Sequence, residues 1–267
     1  MTNDSIPSTE TIRDRSSVAD CTAVITGGSS GIGREVAETF VADGADVVVC
    51  SRTQDDVETV AVELNDADLP GTALPVECDV TDLEDAEALA EATIEEFGGV
   101  DILVNNAGGG GDLSTLDATD PEVWQEMLDV NLTGTYNVTH AFADALTDGG
   151  GAIVNNASMA GEYAIPGMSA YGAAKAGIIE LTRTLAAEWA EEDVRVNAVA
   201  PGYVATEKVK EKMGVEDPDR DTVDRNVGAP SEVADLVRFL ASPAASFVDG
   251  QSITIKGRPV TPGDPGE

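Results

Sequence analysis

Short apolar runs alternate with amphipathic stretches along almost the whole chain. Seven runs read as β-strands: 21–26, 47–50, 74–76, 102–105, 152–156, 195–200 and 252–255. Most are rich in β-branched residues and bounded by Gly, Asp or Asn, as buried strands are. Between them, apolar residues recur every three to four positions, the period of a helix with one buried face. Ile32, Val36, Ala37, Phe40 and Val41 form one such stripe, with Gly44 placed to end the helix. Ala86, Leu89, Ala90, Thr93, Ile94 and Phe97 form another, and a last helix is expected over 231–240. Strands alternating with helices imply right-handed crossovers and a parallel sheet covered on both faces. The expected fold is a single α/β domain over 21–258, doubly wound and Rossmann-like, with about seven strands. Residues 1–20 read as a flexible lead-in and 259–267 as a tail. The stretch 207–230 is polar, charged and weakly periodic, and is expected to be a substrate loop.

Composition narrows the function. No apolar run reaches the roughly 18–20 residues of a membrane span, and the polar, acid-bearing start is no secretory signal. A cytoplasmic location is expected. Cys21, Cys50 and Cys78 are an odd, scattered set, read as small buried residues in a reducing compartment. The one histidine, His140, argues against a zinc site, and no metal is expected. A Ser-His-Asp hydrolase would depend on that residue, and no nucleophile elbow lies near it.

Fifteen basic residues stand against fifty acidic ones, a net charge of −35, and five of the fifteen are lysines. Nucleic acid and anionic membranes are therefore not expected partners. Acids such as Glu84, Asp85, Glu87, Glu91, Glu95 and Glu96 share one helix with no base near them in sequence. Their repulsion is relieved by salt, with a Debye length of about 3 Å at 1 M. A host with a high-salt interior is inferred.

Thr26-Gly27-Gly28-Ser29-Ser30-Gly31-Ile32-Gly33 follows the first strand and opens the first long helix. Glycines let the backbone approach a ligand, and a helix N-terminus favours a diphosphate. The second strand ends Cys50-Ser51-Arg52, without the acid that commonly holds a ribose 2′-hydroxyl. A guanidinium at that place suits a 2′-phosphate. NADP(H) is the expected cofactor, with NAD(H) the alternative.

Tyr171 and Lys175 stand four apart, on one face of a helix. A tyrosine near pKa 10 needs help to work at neutral pH, and a close ammonium favours its phenolate. Ser158 follows the fifth strand by two residues, Asn131 lies in the helix before that strand, and Asn105-Asn106-Ala107-Gly108 ends the fourth. A serine at a strand's carboxyl end faces the same crevice as the glycine turn.

Together these residues resemble the short-chain dehydrogenase/reductase family, in order, from about position 21 to 255. The resemblance implies a catalytic tetrad of Asn131, Ser158, Tyr171 and Lys175. It implies cofactor contacts at Gly27, Ser29, Ser30, Gly31, Ile32 and Gly33, and at Ser51 and Arg52. Asp79 and Val80 would meet the adenine, followed by Asn106, Ala107 and Gly108. Tyr171 and Lys175 would hold the nicotinamide ribose, and Pro201, Gly202, Val204 and Thr206 the nicotinamide. Hydride would pass between nicotinamide and a carbonyl or secondary alcohol, with Tyr171 the proton donor, Ser158 bonding the carbonyl oxygen and Asn131 supporting a water chain to Lys175. The overall pattern is most similar to 3-oxoacyl-thioester reductases. The glycine run 108–111 is also similar to that of enoyl- and dienoyl-thioester reductases, and sugar, polyol or steroid substrates stay open. A non-catalytic NADP-binding regulator would typically lack the tyrosine or lysine. A nucleotide-sugar epimerase or dehydratase would be longer. A homotetramer is implied, packed through 121–146 and 170–190. Two departures stand out: Asn156-Ala157 replaces the more usual Ile-Ser, and Lys256-Gly257-Arg258 replaces Asp-Gly-Gly.

Overall fold

The computed structural model describes residues 7–257 apart from 112 and 223. Arg258 and the tail 259–267 lie outside them.

The chain begins with α1 (Thr9–Arg15), then β1 (Thr22–Thr26), α2 (Gly31–Asp43), β2 (Asp46–Ser51), α3 (Gln54–Asp66), β3 (Ala73–Glu77), α4 (Leu83–Phe97) and β4 (Ile102–Asn105). The second half runs α5 (Pro121–Leu128), α6 (Gly134–Ala141), α7 (Ala143–Gly149), β5 (Gly151–Asn156), α8 (Ser169–Glu188), β6 (Val194–Pro201), β7 (Tyr203–Val204), α9 (Glu207–Met213), β8 (Val227–Gly228), α10 (Pro230–Ala241) and β9 (Ser252–Ile255). Seven strands form one sheet in the order β3-β2-β1-β4-β5-β6-β9, every pair parallel. Each expected strand is present, within one residue at either end. The two-strand ribbon of β7 and β8 is too short to leave a pattern in the sequence.

Successive residues of a strand point to opposite faces, and here both faces are dry. Ala23, Ile25, Val47, Val49, Ile102 and Val104 pack with Val36, Phe40, Val237 and Leu240 on one side. Val24, Val48, Cys50 and Leu103 pack with Leu89, Phe142, Leu146 and Leu185 on the other. That two-sided burial is why the strands read as unbroken apolar runs. α2 stops where expected, at Gly44 with φ +106°, and α4 stops at Gly98 with φ +83°, values that favour glycine. Asp82 and Asp120 cap α4 and α5 by accepting the N–H groups of Glu84 and Glu122, each at 2.9 Å.

Two expectations need correcting. The lead-in is not without structure. Ser8 caps α1 by accepting from Thr11 N at 3.0 Å. Behind it, Val18 is buried, its N–H donates to Asp43 Oδ2 at 2.8 Å, and Arg238 donates to Ser16 O at 2.6 Å. α1 buries no residue, so it has no apolar stripe to read. Asn131 is not in a regular α-helix either: Asp129–Thr133 is a π-helical turn joining α5 to α6. Such turns re-aim single side chains and gather at functional sites.

Among the described residues no helix is long and apolar enough to cross a membrane.

Candidate active site

The sheet order reverses between β1 and β4, whose following helices lie on opposite faces. In open α/β sheets the crevice at that point is where ligands bind. Thr26 pins it. Its hydroxyl accepts the N–H groups of Asn106 and Ala107, both at 2.9 Å, so the exit of β4 is fastened to the exit of β1. Asn106 Nδ2 donates back to Thr26 O at 2.9 Å and Gly27 O at 3.2 Å.

A cleft of about 870 Å³ opens above these strand ends. Gly27, Ser29, Ser30, Gly31 and Ile32 form its floor, with Ser51, Arg52, Asp79 and Val80 at one end. Asn106, Ala107 and Gly108 lie in the middle, and Ser158, Tyr171 and Lys175 at the other end with Pro201, Gly202, Val204 and Thr206. Gly33 and Asn131 do not line it. Gly33 matters for packing: a Cβ there would stand 2.3 Å from Gly27 O. Gly27 itself has φ +64°, and a Cβ would meet Ala107 Cα at 2.9 Å.

The residues present fit a dinucleotide. Ser30 makes no side-chain cap on α2, so the first N–H groups of that helix remain for an anion. Arg52 lines the cleft and, among the described residues, meets no carboxylate. Asp79 keeps one carboxylate oxygen occupied by Thr81 N and Oγ1, at 3.0 and 2.8 Å.

The chemical end is built by β5, α8 and the π turn. Ser158 Oγ accepts from Ala160 N at 3.1 Å, which leaves its own proton to serve the neighbouring Tyr171 hydroxyl, whose pKa it lowers. Lys175 Nζ is buried, donates to Asn156 O at 2.6 Å and stands 5.6 Å from the Tyr171 ring centroid. Asn131 Oδ1 accepts from Gly109 N at 3.1 Å, and its Nδ2 donates to Met127 O at 3.0 Å. Gly108, at φ +147°, keeps the space between Asn131 and Lys175 open: a Cβ would stand 2.4 Å from Asn131 Oδ1 and 3.6 Å from Lys175 Nζ.

The electrostatics differ from the sequence expectation. Burial raises the Tyr171 pKa, and the Ser158 hydrogen bond offsets only part of that rise. Burial also pulls Lys175 down to about 7. The cofactor-free site therefore disfavours both charges, and the lysine does not by itself produce a phenolate. Helical spacing places the two groups on one face but says nothing of their desolvation.

The cleft wall holds residues beyond the predicted contacts, while most of α9 falls in the segment expected as the substrate loop. Cys78, Val130, Asn156, Ile165 and Met168 line the cleft, as do Tyr203 and most of α9. Asn156 had a signal: it is the last residue of β5, two before Ser158.

A family model described as short chain dehydrogenase matches residues 21–216. The chain belongs to the short-chain dehydrogenase family. It is therefore an oxidoreductase using a nicotinamide dinucleotide, NAD(H) or NADP(H). This short-chain dehydrogenase is similar to relatives with different substrates. It is 38% identical over 238 residues to the 3-oxoacyl-[acyl-carrier-protein] reductase of Thermotoga maritima, covering 88% of this chain and 95% of that one. It is 41% identical over 246 residues to the L-tagatose-forming galactitol 2-dehydrogenase of Cereibacter sphaeroides, covering 88% and 93%. A solved 3-oxoacyl-[acyl-carrier protein] reductase from Brucella melitensis with bound NAD superposes with a TM-score of 0.80 at 37% identity, over 94% of this chain and 95% of that one.

Burial of Lys175 makes a stability prediction. A lysine whose native pKa is depressed costs most where the native state carries the charge, below about 7. From there towards its unfolded value near 10.4, the unfolded chain binds the extra proton, so this group's penalty shrinks as pH rises. Lys175→Met, in the cofactor-free protein, is expected to raise Tm at pH 6. The difference from wild type should narrow by pH 9. Thermal melts of both proteins at the two pH values check it.

Proposed function

We propose that this enzyme reduces a carbonyl to a secondary alcohol with NADPH, 3-oxoacyl thioesters being the favoured substrate class. The observation that carries the reading is the Ser158–Tyr171–Lys175 group at one end of a cleft whose other end holds Arg52. Bound in the cleft, NADPH supplies hydride to the carbonyl carbon. Tyr171, kept protonated by burial, gives its proton to the carbonyl oxygen. Ser158 donates a hydrogen bond to the same oxygen as negative charge develops there. Lys175 refills the tyrosine, with Asn131 supporting a water chain that returns the proton to Lys175. In the oxidative direction Tyr171 must first ionise, so alcohol oxidation calls for alkaline pH.

Preference for NADP(H) rests on Arg52 and Ser51, with no acid at the end of β2. A guanidinium without a carboxylate partner, in so acidic a chain, suits a 2′-phosphate. The 207–230 segment is read as the substrate loop because α9 contributes Lys208, Glu211 and Met213 to the cleft. Enoyl thioesters are the second reading, because Gly109, Gly110 and Gly111 leave the cleft wall without side chains, Gly110 facing Met168 and Gly111 facing Met127.

The protein is read as cytoplasmic and homotetrameric. α5 buries none of its residues, and Val123 and Tyr136 are about half exposed (48% and 52%), which suits a subunit contact through 121–146. Within 170–190, Ile178 and Leu185 are core and Leu181 is half-buried. The net charge of −35 is read as adaptation to a high-salt interior, and Tm is expected to rise with KCl into the molar range. A flat or falling curve removes that reading.

Turnover of acetoacetyl-CoA with NADPH in multimolar KCl, beside a ketone, aldehyde, sugar and enoyl-CoA panel, tests the substrate. Selective turnover of the 3-oxo thioester supports it, and selective turnover of another class overturns it. Arg52→Asp should move the NADPH/NADH ratio of kcat/KM towards NADH by at least about tenfold, the scale of one charge-assisted hydrogen bond. An unchanged ratio refutes the phosphate assignment.

A further inference from the structure

Asn156 stands where the chain departs from the more usual pattern of its family, and its side chain has a fixed orientation. Asn106 Nδ2 lies 2.9 Å from Thr26 O and 3.2 Å from Gly27 O. Both are carbonyls, which only accept, so that end of the Asn106 amide must be its NH₂. Asn106 Oδ1 then faces the amide of Asn156 at 2.9 Å, and only the NH₂ of Asn156 can donate to it. The oxygen of Asn156 is left over as an acceptor. It is buried, and it has no hydrogen-bond partner among the described residues.

A buried acceptor without a donor is costly, and native proteins rarely leave one. Two other such atoms are Asn105 Oδ1 and Ser169 Oγ, but neither residue lines the cleft, whereas Asn156 does. The main-chain carbonyl of Asn156 also receives Lys175 Nζ at 2.6 Å. Asn156 therefore sits between the glycine turn, reached through Asn106, and the catalytic lysine. In a dinucleotide lying from that turn to Tyr171, the part that spans this interval is the nicotinamide-side ribose, and its hydroxyls are its donors.

We propose that Asn156 Oδ1 accepts a hydrogen bond from a hydroxyl of the nicotinamide-side ribose, which makes Asn156 a cofactor-binding residue of this chain. The proposal rests on the reading of the cleft as the dinucleotide site. It does not depend on which carbonyl is reduced or on the 2′-phosphate preference.

The test is binding, read by nicotinamide fluorescence, with two ligands. One is NADPH and the other is its analogue lacking the nicotinamide-side ribose hydroxyls. Asn156→Leu should weaken NADPH about tenfold, the scale of one buried hydrogen bond, and bind the analogue as the wild type does. Asn156→Thr, a shorter residue suited to a strand, should give the same pattern if the leucine variant does not fold. Equal weakening of both ligands marks a general disturbance of the site and overturns the proposal, as does unchanged binding of both. Failure of the wild type to bind either NADPH or NADH overturns the reading of the cleft itself and the proposal with it. Binding without coupling overturns only the assignment to Asn156.

Discussion

The parallel pairing of β1 with β4, where the strand order reverses, is the constraint on which the site depends. Two chains leave neighbouring strand ends for opposite faces of the sheet, and a crevice is the unavoidable result. The Thr26 hydroxyl holds both edges of that crevice at once, through Asn106 and Ala107. The glycine turn then fits only because it lacks side chains: a Cβ at Gly27 or Gly33 would collide with backbone. Fold and cleft are thus one construction, with the same strand ends closing the core below and lining the cleft above.

The opposite end of the cleft carries the cost of function. Lys175 is buried with one main-chain acceptor, and burial takes its pKa to about 7. Tyr171 is pushed the other way. A buried lysine and a protonated phenol side by side suit a proton donor better than a standing phenolate. Beside Lys175, residue 108 is glycine in a left-handed conformation, and a Cβ there would collide with Asn131, which a π turn carries. Each of these features weakens the fold locally and is tolerated where chemistry uses it.

Much of this was legible in the residues. Two-sided burial turned the strands into continuous apolar runs, so all seven appeared within a residue of their ends. The glycine turn and the spacing of Ser158, Tyr171 and Lys175 located the cleft, because strand ends and helix faces follow directly from sequence periodicity. What stayed hidden had no periodic or compositional trace. α1 has a single large apolar residue, the exposed Ile12, and is held by Ser8 and by contacts at Ser16 and Val18 rather than by an apolar face. The π turn adds one residue to a helix without altering its residue types. Val130, Ile165 and Met168 meet the cleft through tertiary packing alone. The direction of the Tyr171 shift depends on burial, which helical spacing does not carry.

The proposed role of Tyr171 is to supply the proton in a site that binds its nicotinamide dinucleotide mostly through other residues. Tyr171→Phe removes one hydroxyl and keeps the ring. Measured side by side, NADPH binding by fluorescence and carbonyl reduction by NADPH oxidation separate the two functions. Binding close to wild type is expected, with turnover reduced by at least about a hundredfold, the low end of general acid catalysis. Turnover comparable to wild type in the phenylalanine variant would contradict it.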